Sequence, residues 1–236
     1  MRSFAISDIH GCQDTFRTLL FDRLNLTKSD KLYLLGDYID RGPSSKGVLD
    51  IIRQLGKEGY QVTSLKGNHD DVFFQLWLKY NEAAKENWEI WGGTETLVSF
   101  GAYDKSFEYI PDIYFEEIEQ MKNYVALDDY LLVHAGFNFS KDNIFEDKKA
   151  MCWAAKYYPY IDPEKTGNRI IVHGHTPLKK QEIIKRVAEM KHPVICIDAG
   201  CCYDDREDMG YLCALQLENR ELIFQERTDE IHAGYE

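Results

Sequence analysis

Two carboxylates and a guanidinium fall within five residues of one another in Gly36-Asp37-Tyr38-Ile39-Asp40-Arg41-Gly42. The apolar run Leu32-Tyr33-Leu34-Leu35 comes directly before them, so the spacing predicts a buried strand whose end opens into a tight loop. Burying that many charges without partners is costly, and a plain salt-bridge turn leaves the second Asp without a task. In a metal-and-phosphate site one Asp ligates a cation and the other orients a proton donor. Arg41 then offers the paired donors that suit phosphoryl oxygens. On this segment alone both readings stand.

The histidines tip the balance. Of seven, five (His10, His69, His134, His173 and His175) end strand-like runs beside a Gly. With Asp8, Asp37 and Asn68 they form a nitrogen-and-oxygen donor set without thiolate, which suits Mn, Fe, Zn or Ni better than calcium. The donors outnumber what one ion with an open site needs, so two ions sharing a carboxylate are implied. Such a pair, about 3.5–4 Å apart, generates hydroxide at neutral pH and steadies both oxygens of an in-line displacement.

The elements that must bring these residues together are strands alternating with helices. Strand-like runs begin at Phe4, Leu32, Val62, Tyr130, Arg169 and Val194, and each delivers polar residues at its carboxyl end, where ligands gather in parallel sheets. If the first run stays extended, Asp8 and His10 project to the same side. Helical spacing links Phe16 to Leu24 and Val48 to Leu55. A further helix runs from Val72 through Tyr80 toward Ala84, and a Thr after Trp91-Gly92-Gly93 is placed to cap a short one. Residues 71–123 thus read as a mostly helical insertion forming one wall of a cleft. Trp77, Trp88 and Trp91 within it are expected to pack a core rather than box a ligand. Tyr211–Leu217 and Glu221–Gln225 read as a hairpin turning at Asn219-Arg220. No Pro/Gly/Ser-rich linker divides the 236 residues, so one α/β domain over 1–236 is expected.

A net charge of −12 disfavours a nucleic-acid binder, and a nuclease with it. No apolar stretch reaches membrane-spanning length and no signal core opens the chain, so a cytoplasmic protein is expected. The six cysteines show no framework spacing and are expected as reduced thiols.

Asp8-x-His10-Gly11, Gly36-Asp37-x-x-Asp40-Arg41-Gly42, Gly67-Asn68-His69-Asp70, His134-Ala135-Gly136 and Gly174-His175-Thr176-Pro177, in this order, closely resemble the calcineurin-like metallophosphoesterases. The match is to the bacterial serine/threonine phosphoprotein phosphatase branch, related to symmetrical diadenosine tetraphosphatases. The resemblance implies a sandwich of two mixed β-sheets flanked by helices, with metals at the loops on one edge. It implies Asp8, His10 and Asp37 on a first divalent ion, Asn68, His134 and His175 on a second, and Asp37 bridging, with Mn the first choice of metal. His69, oriented by Asp40, resembles the proton donor and Arg41 the phosphate-binding arginine. The implied reaction is hydrolysis of phosphoserine or phosphothreonine in proteins by direct attack of a metal-bridging hydroxide. The alternative is hydrolysis of diadenosine tetraphosphate or another nucleotide phosphoanhydride. A catalytically silent binding module is disfavoured because every implied ligand is present.

Three departures from the family pattern stand out. Asp70 replaces the usual Glu. The arginine usual after the His-Ala-Gly motif is missing: Trp153 is followed by Ala154, Ala155 and Lys156, leaving Lys156, Arg169 or Arg206 as replacements. His173 matches no ligand position and is expected to be structural, and His192 and His232 are expected to be uninvolved. The acidic run around Arg206 (Asp204, Asp205, Glu207, Asp208) is either an ordinary solvated loop or a filter that favours basic phosphopeptides.

Overall fold

The structure, a computed structural model, describes residues 1–103, 106–154, 161–203 and 205–230. Its strands are β1 (Ser3–Ile6), β2 (Lys31–Leu34), β3 (Gln61–Ser64), β4 (Tyr124–Ala126) and β5 (Tyr130–Val133), then β6 (Ile170–His173), β7 (Val194–Cys196), β8 (Tyr211–Gln216) and β9 (Glu221–Glu226). They form two mixed sheets, ordered β3-β2-β1-β8-β9 and β4-β5-β6-β7. In the first, β1, β2 and β3 are parallel and β8 joins β1 antiparallel; in the second, β5, β6 and β7 are parallel.

The alternation of side chains across a strand explains the layering. Phe4, Ile6, Leu32 and Leu34 point to one face and pack with Phe16, Leu19, Leu20, Val48 and Leu55. Ala5, Tyr33 and Leu35 point to the other, against Tyr130, Leu132, Val172, Ile195 and Leu215. On the outer face of the second sheet Leu131, Val133 and Ile171 meet Phe137, Ile144 and Met151. Strands buried on both faces must be apolar throughout, which is why they read as unbroken hydrophobic runs. The expected sandwich of two mixed sheets flanked by helices is the observed fold.

The helices are α1 (Gln13–Thr18), extended by a π-helical turn to Arg23, and α2 (Ser45–Lys57), then α3 (Asn68–Leu78), α4 (Glu82–Trp88), α5 (Thr94–Ser99) and α6 (Asp112–Glu119) between β3 and β4. Later come α7 (Lys148–Trp153), α8 (Pro163–Thr166) and α9 (Lys180–Glu189). Residues α3 to α6 share an aromatic core in which Phe73 lies 4.7 Å from Phe115 and 5.5 Å from Trp88, and Trp77 stacks on Phe115 at 4.8 Å. The helix expected to run on toward Ala84 stops at Leu78. Lys79 leaves helical geometry (φ −143°), and the Asn81 side chain accepts from Ala84 N (2.9 Å) to start α4. The hairpin turns as expected, with Arg220 in the left-handed region. All six cysteines are buried free thiols.

Candidate active site

Functional side chains leave the sheets through unusual backbone. Asp8 (φ 54°), His10 (46°), Asp37 (56°), Asp40 (71°), Arg41 (69°) and His175 (70°) all occupy the left-handed region. Each costs an L-residue about 1–2 kcal/mol, so the surrounding structure must enforce it. The expectation that Asp8 and His10 share one side of a strand is therefore corrected. The strand ends at Ile6, and two left-handed turns aim the side chains instead. Loop-to-loop hydrogen bonds lock them: His10 N to Asp37 O (2.9 Å), Gly11 N to Tyr38 O (2.9 Å) and Asp8 N to Gly36 O (3.2 Å). Asp70 ties the second and third loops together, accepting from Asp37 N (2.8 Å), Tyr38 N (3.1 Å) and Gly67 N (2.9 Å). Contact is so close that a Cβ on Gly42 would lie 2.1 Å from His10 O, and one on Gly67 2.1 Å from the Asp37 carboxylate.

Burial keeps the converging imidazoles neutral. It pushes His10 well below its ordinary value, aided by Arg41 and His69, lowers His134 against the pull of Asp8 and Asp70, and takes His175 down to about 3 with help from His134. The single proton has a fixed place in two of them: Nδ1 of His10 donates to Ile39 O (2.9 Å) and Nδ1 of His134 to Leu35 O (3.0 Å). Their Nε2 lone pairs therefore face inward, as metal ligation requires. His134 Nε2 lies 3.0 Å from Asn68 Oδ1 and 3.2 Å from His175 Nδ1, and these last two are 2.8 Å apart. Two acceptors facing each other at that distance repel unless a cation lies between them. Ligands about 2.1 Å from one ion have edges of about this length.

Asp37 stands between the two histidine groups, with one oxygen 3.6 Å from His10 Nε2 and the other 3.5 Å from His134 Nε2. Burial, with Asp8 adding to it, holds the Asp37 carboxyl well above the usual range, and the same two causes act on Asp198. Among the described residues, the buried carboxylates gathered beside Arg41 leave excess negative charge that divalent cations would neutralise. The donor set thus fits metal ions. His10, Asp37 and His69 form one cluster of potential ligand atoms, and Asp37, His134 and His175 another. Asp8 sits beside them with its carboxylate turned to His175 N (3.0 Å) and Ser7 Oγ.

His69 differs from its neighbours. Burial depresses its proton affinity, but Asp37 and Asp40 outweigh it and the net shift is upward. Its Nδ1 donates to Asp40 (2.7 Å), and Asp40 in turn accepts from Trp88 Nε1 (2.8 Å) and Thr96 Oγ1 (2.6 Å). Neither Trp88 nor Thr96 stands out in the sequence as a support for Asp40. Trp88 was taken as core alone, and no local signal links it to an Asp forty-eight positions away. The Thr expected to cap a helix after Gly93 does not, since α5 has no side-chain cap; Thr96, inside that helix, donates to Asp40. Arg41 donates through Nη1 to His10 Nε2 (2.9 Å) and through Nη2 to His69 Nε2 (3.0 Å).

The other residues singled out in the sequence lie outside this cluster or beyond the described residues. His173 ends β6 with Nδ1 on Gly174 O (2.9 Å), and burial lowers it to about 4; His192 is exposed. Arg169 donates to Leu127 O (2.8 Å) and Thr166 O (3.3 Å). Lys156, Asp204 and His232 lie outside the described residues. Glu207 pairs with Lys179 (2.7 Å) and Asp208 accepts from Gln181 N (2.9 Å), tying half of the acidic run to the start of α9.

A phosphohydrolase centre of this kind on a two-sheet sandwich defines a class, and comparison gives the family: the model for calcineurin-like phosphoesterases matches residues 1–208, and the chain belongs to that family. Bis(5'-nucleosyl)-tetraphosphatase PrpE (asymmetrical) of Anoxybacillus flavithermus is 27% identical, aligned over 92% of this chain and 91% of its own. A symmetrical bis(5'-nucleosyl)-tetraphosphatase of Buchnera aphidicola is 35% identical over 88 residues, which is 37% of this chain and 31% of that relative. Among solved structures, a protein serine/threonine phosphatase of Saccharomyces cerevisiae superposes with a TM-score of 0.62 at 14% identity, over 98% of this chain and 81% of that one. The chain is a phosphoesterase with candidate metal-ligand groups at the carboxyl ends of its strands, and no helix among the described residues is long and apolar enough to cross a membrane.

Proposed function

We propose that this hydrolase cleaves the phosphoanhydride bonds of dinucleoside polyphosphates with two divalent ions; the nitrogen-and-oxygen donor set suits Mn, Fe, Zn or Ni, and the family resemblance makes manganese the first choice. Asp8, His10 and Asp37 hold one ion and Asn68, His134 and His175 the other. The observation that carries this is the Asp37 carboxylate between His10 Nε2 (3.6 Å) and His134 Nε2 (3.5 Å). When bound, the ions supply Lewis acidity to phosphoryl oxygens and to water. The protein does the rest. Arg41 turns its paired donors from the two imidazoles to the phosphoryl oxygens, which frees His69 Nε2 to carry a proton. Asp40, fixed by Trp88 and Thr96, keeps the ring aimed so that His69 protonates the leaving oxygen. The nucleotide substrate is supported by the PrpE relative, aligned nearly end to end.

A second reading, phosphoserine or phosphothreonine in a protein, is favoured by the His69–Asp40 pair itself. An alkoxide is a far poorer leaving group than a phosphate and gains most from a positioned acid. The likeness to the yeast phosphatase speaks for the fold alone. Parallel turnover of diadenosine tetraphosphate, a phosphoserine/phosphothreonine peptide panel and p-nitrophenyl phosphate by manganese-loaded protein separates the readings. The expected result is the highest kcat/KM on the dinucleotide. Faster peptide turnover would install the second reading, and bound metal without turnover of any substrate would end both.

A further inference from the structure

One basic side chain near the site has no task in the account above. Arg206 lies on Tyr203, with Cζ 3.7 Å from the ring centroid, and the same ring has the Arg41 guanidinium 5.8 Å from its centroid. These two distances together bound the separation of the guanidinium carbons at 9.5 Å. Arg206 is exposed, and among the described residues its guanidinium has no carboxylate or hydrogen-bond partner, although Asp205 and Glu207 flank it. Glu207 is taken by Lys179. In a chain of net charge −12, a cation left unpaired and pinned on an aromatic shelf beside the phosphate arginine is not surface decoration. Stacking holds the guanidinium by its face and leaves its in-plane N–H donors open to an anion. The two arginines form a strip of donors that starts at the partly buried Arg41 and ends at the exposed Arg206.

We propose that Arg206, shelved on Tyr203, binds a phosphate of the substrate beyond the one attacked, and so selects polyphosphate chains over isolated phosphoryl groups. Tyr203 is a positioning residue. This rests on the nucleotide reading, and deepens it: a lone phosphomonoester ends at Arg41, whereas a phosphate chain leaving the site along the strip gains a second charge-assisted contact. Arg169 instead turns its Nε and Nη1 to the backbone carbonyls of Leu127 and Thr166.

The test uses a methylene-bridged dinucleoside tetraphosphate as competitive inhibitor of p-nitrophenyl phosphate turnover by the metal-loaded full chain. Arg206→Ala is expected to raise its Ki about ten-fold, the size of one lost charge-assisted hydrogen bond, and several times more than it changes KM for p-nitrophenyl phosphate. Arg206→Lys should recover part of the loss. Tyr203→Ala should mimic Arg206→Ala, and Tyr203→Phe, which keeps the shelf, should raise Ki less. An unchanged Ki, or an equal change in Ki and KM, would overturn the proposal. Turnover of the natural dinucleotide is scored separately. Its absence with a shifted Ki would sink the nucleotide reading and leave the Arg206 contact standing.

Discussion

The two halves of the site are held by different parts of the molecule. The half built from His10, Asp37, Asn68, His134 and His175 is aligned by main-chain groups at strand ends: Ile39 O and Leu35 O fix two imidazoles, and three backbone N–H groups on Asp70 fix the loops. The half built from His69 and Asp40 is aligned by side chains of the helices between β3 and β4, Trp88 from α4 and Thr96 from α5. The sheets thus position groups suited to metal, and the helical segment positions the His69–Asp40 pair that, on the proposed function, carries the proton. On the proposed function, changes in the helices would alter how strongly the leaving group is assisted while the strand-end groups keep their arrangement.

Breaking the shared carboxylate tests the first half most severely. Asp37→Asn is expected to lower kcat/KM on every substrate by about 10³-fold, equivalent to roughly 4 kcal/mol of lost charge stabilisation, with weaker metal uptake seen by elemental analysis. A loss confined to one substrate class would undo the symmetry between the histidine groups. Breaking the second half should discriminate. His69→Asn is expected to slow an alkyl phosphate about 10²-fold or more and p-nitrophenyl phosphate far less, because only the alkoxide needs a strong acid. The pH profile carries the same information. His69 is shifted upward, so its proton is retained above the ordinary histidine range and lost as pH rises through the shifted value. The alkyl phosphate rate should fall across that limb, and in His69→Asn the limb should vanish. A limb that survives would assign the proton to another group.

The contrast between the halves also decides what could be read from the sequence. Strand-end residues beside glycine were legible: a buried apolar run followed by Asp37, Asn68 or His134 announces both the strand and the polar group it delivers. The same runs announced strands alternating with helices, whereas the two-sheet sandwich was implied by the resemblance of the motifs to a family. The left-handed backbone at Asp8, His10, Asp37, Asp40, Arg41 and His175 was not legible, because the contacts that enforce it come from other loops, as at Gly42 against His10 O. Asp40 was legible as an orienting group, but its own supports were not. Trp88 looks like any core aromatic at helical spacing, and Thr96 like any small polar residue within a helix. Arg206 was named as one of three replacements for a missing arginine, and only the stack on Tyr203 sets it apart from Arg169.

The smallest expected effect sharpens the comparison furthest. Trp88 is fully buried and contributes both to the aromatic core with Phe73 and to Asp40 through one N–H. Trp88→Phe keeps most of the first role and deletes the second. Asp40 would retain Thr96 and His69, so the ring should wander rather than leave. A group that orients a catalytic base or ligand through one hydrogen bond is worth about 10-fold to 100-fold, and with Thr96 remaining the lower end is expected. That loss should fall on kcat for alkyl phosphates, leave p-nitrophenyl phosphate nearly untouched and leave metal content unchanged. If metal content fell in step with activity, the helices would be supporting the ion centre as well, and the division between sheet-held and helix-held chemistry would fail.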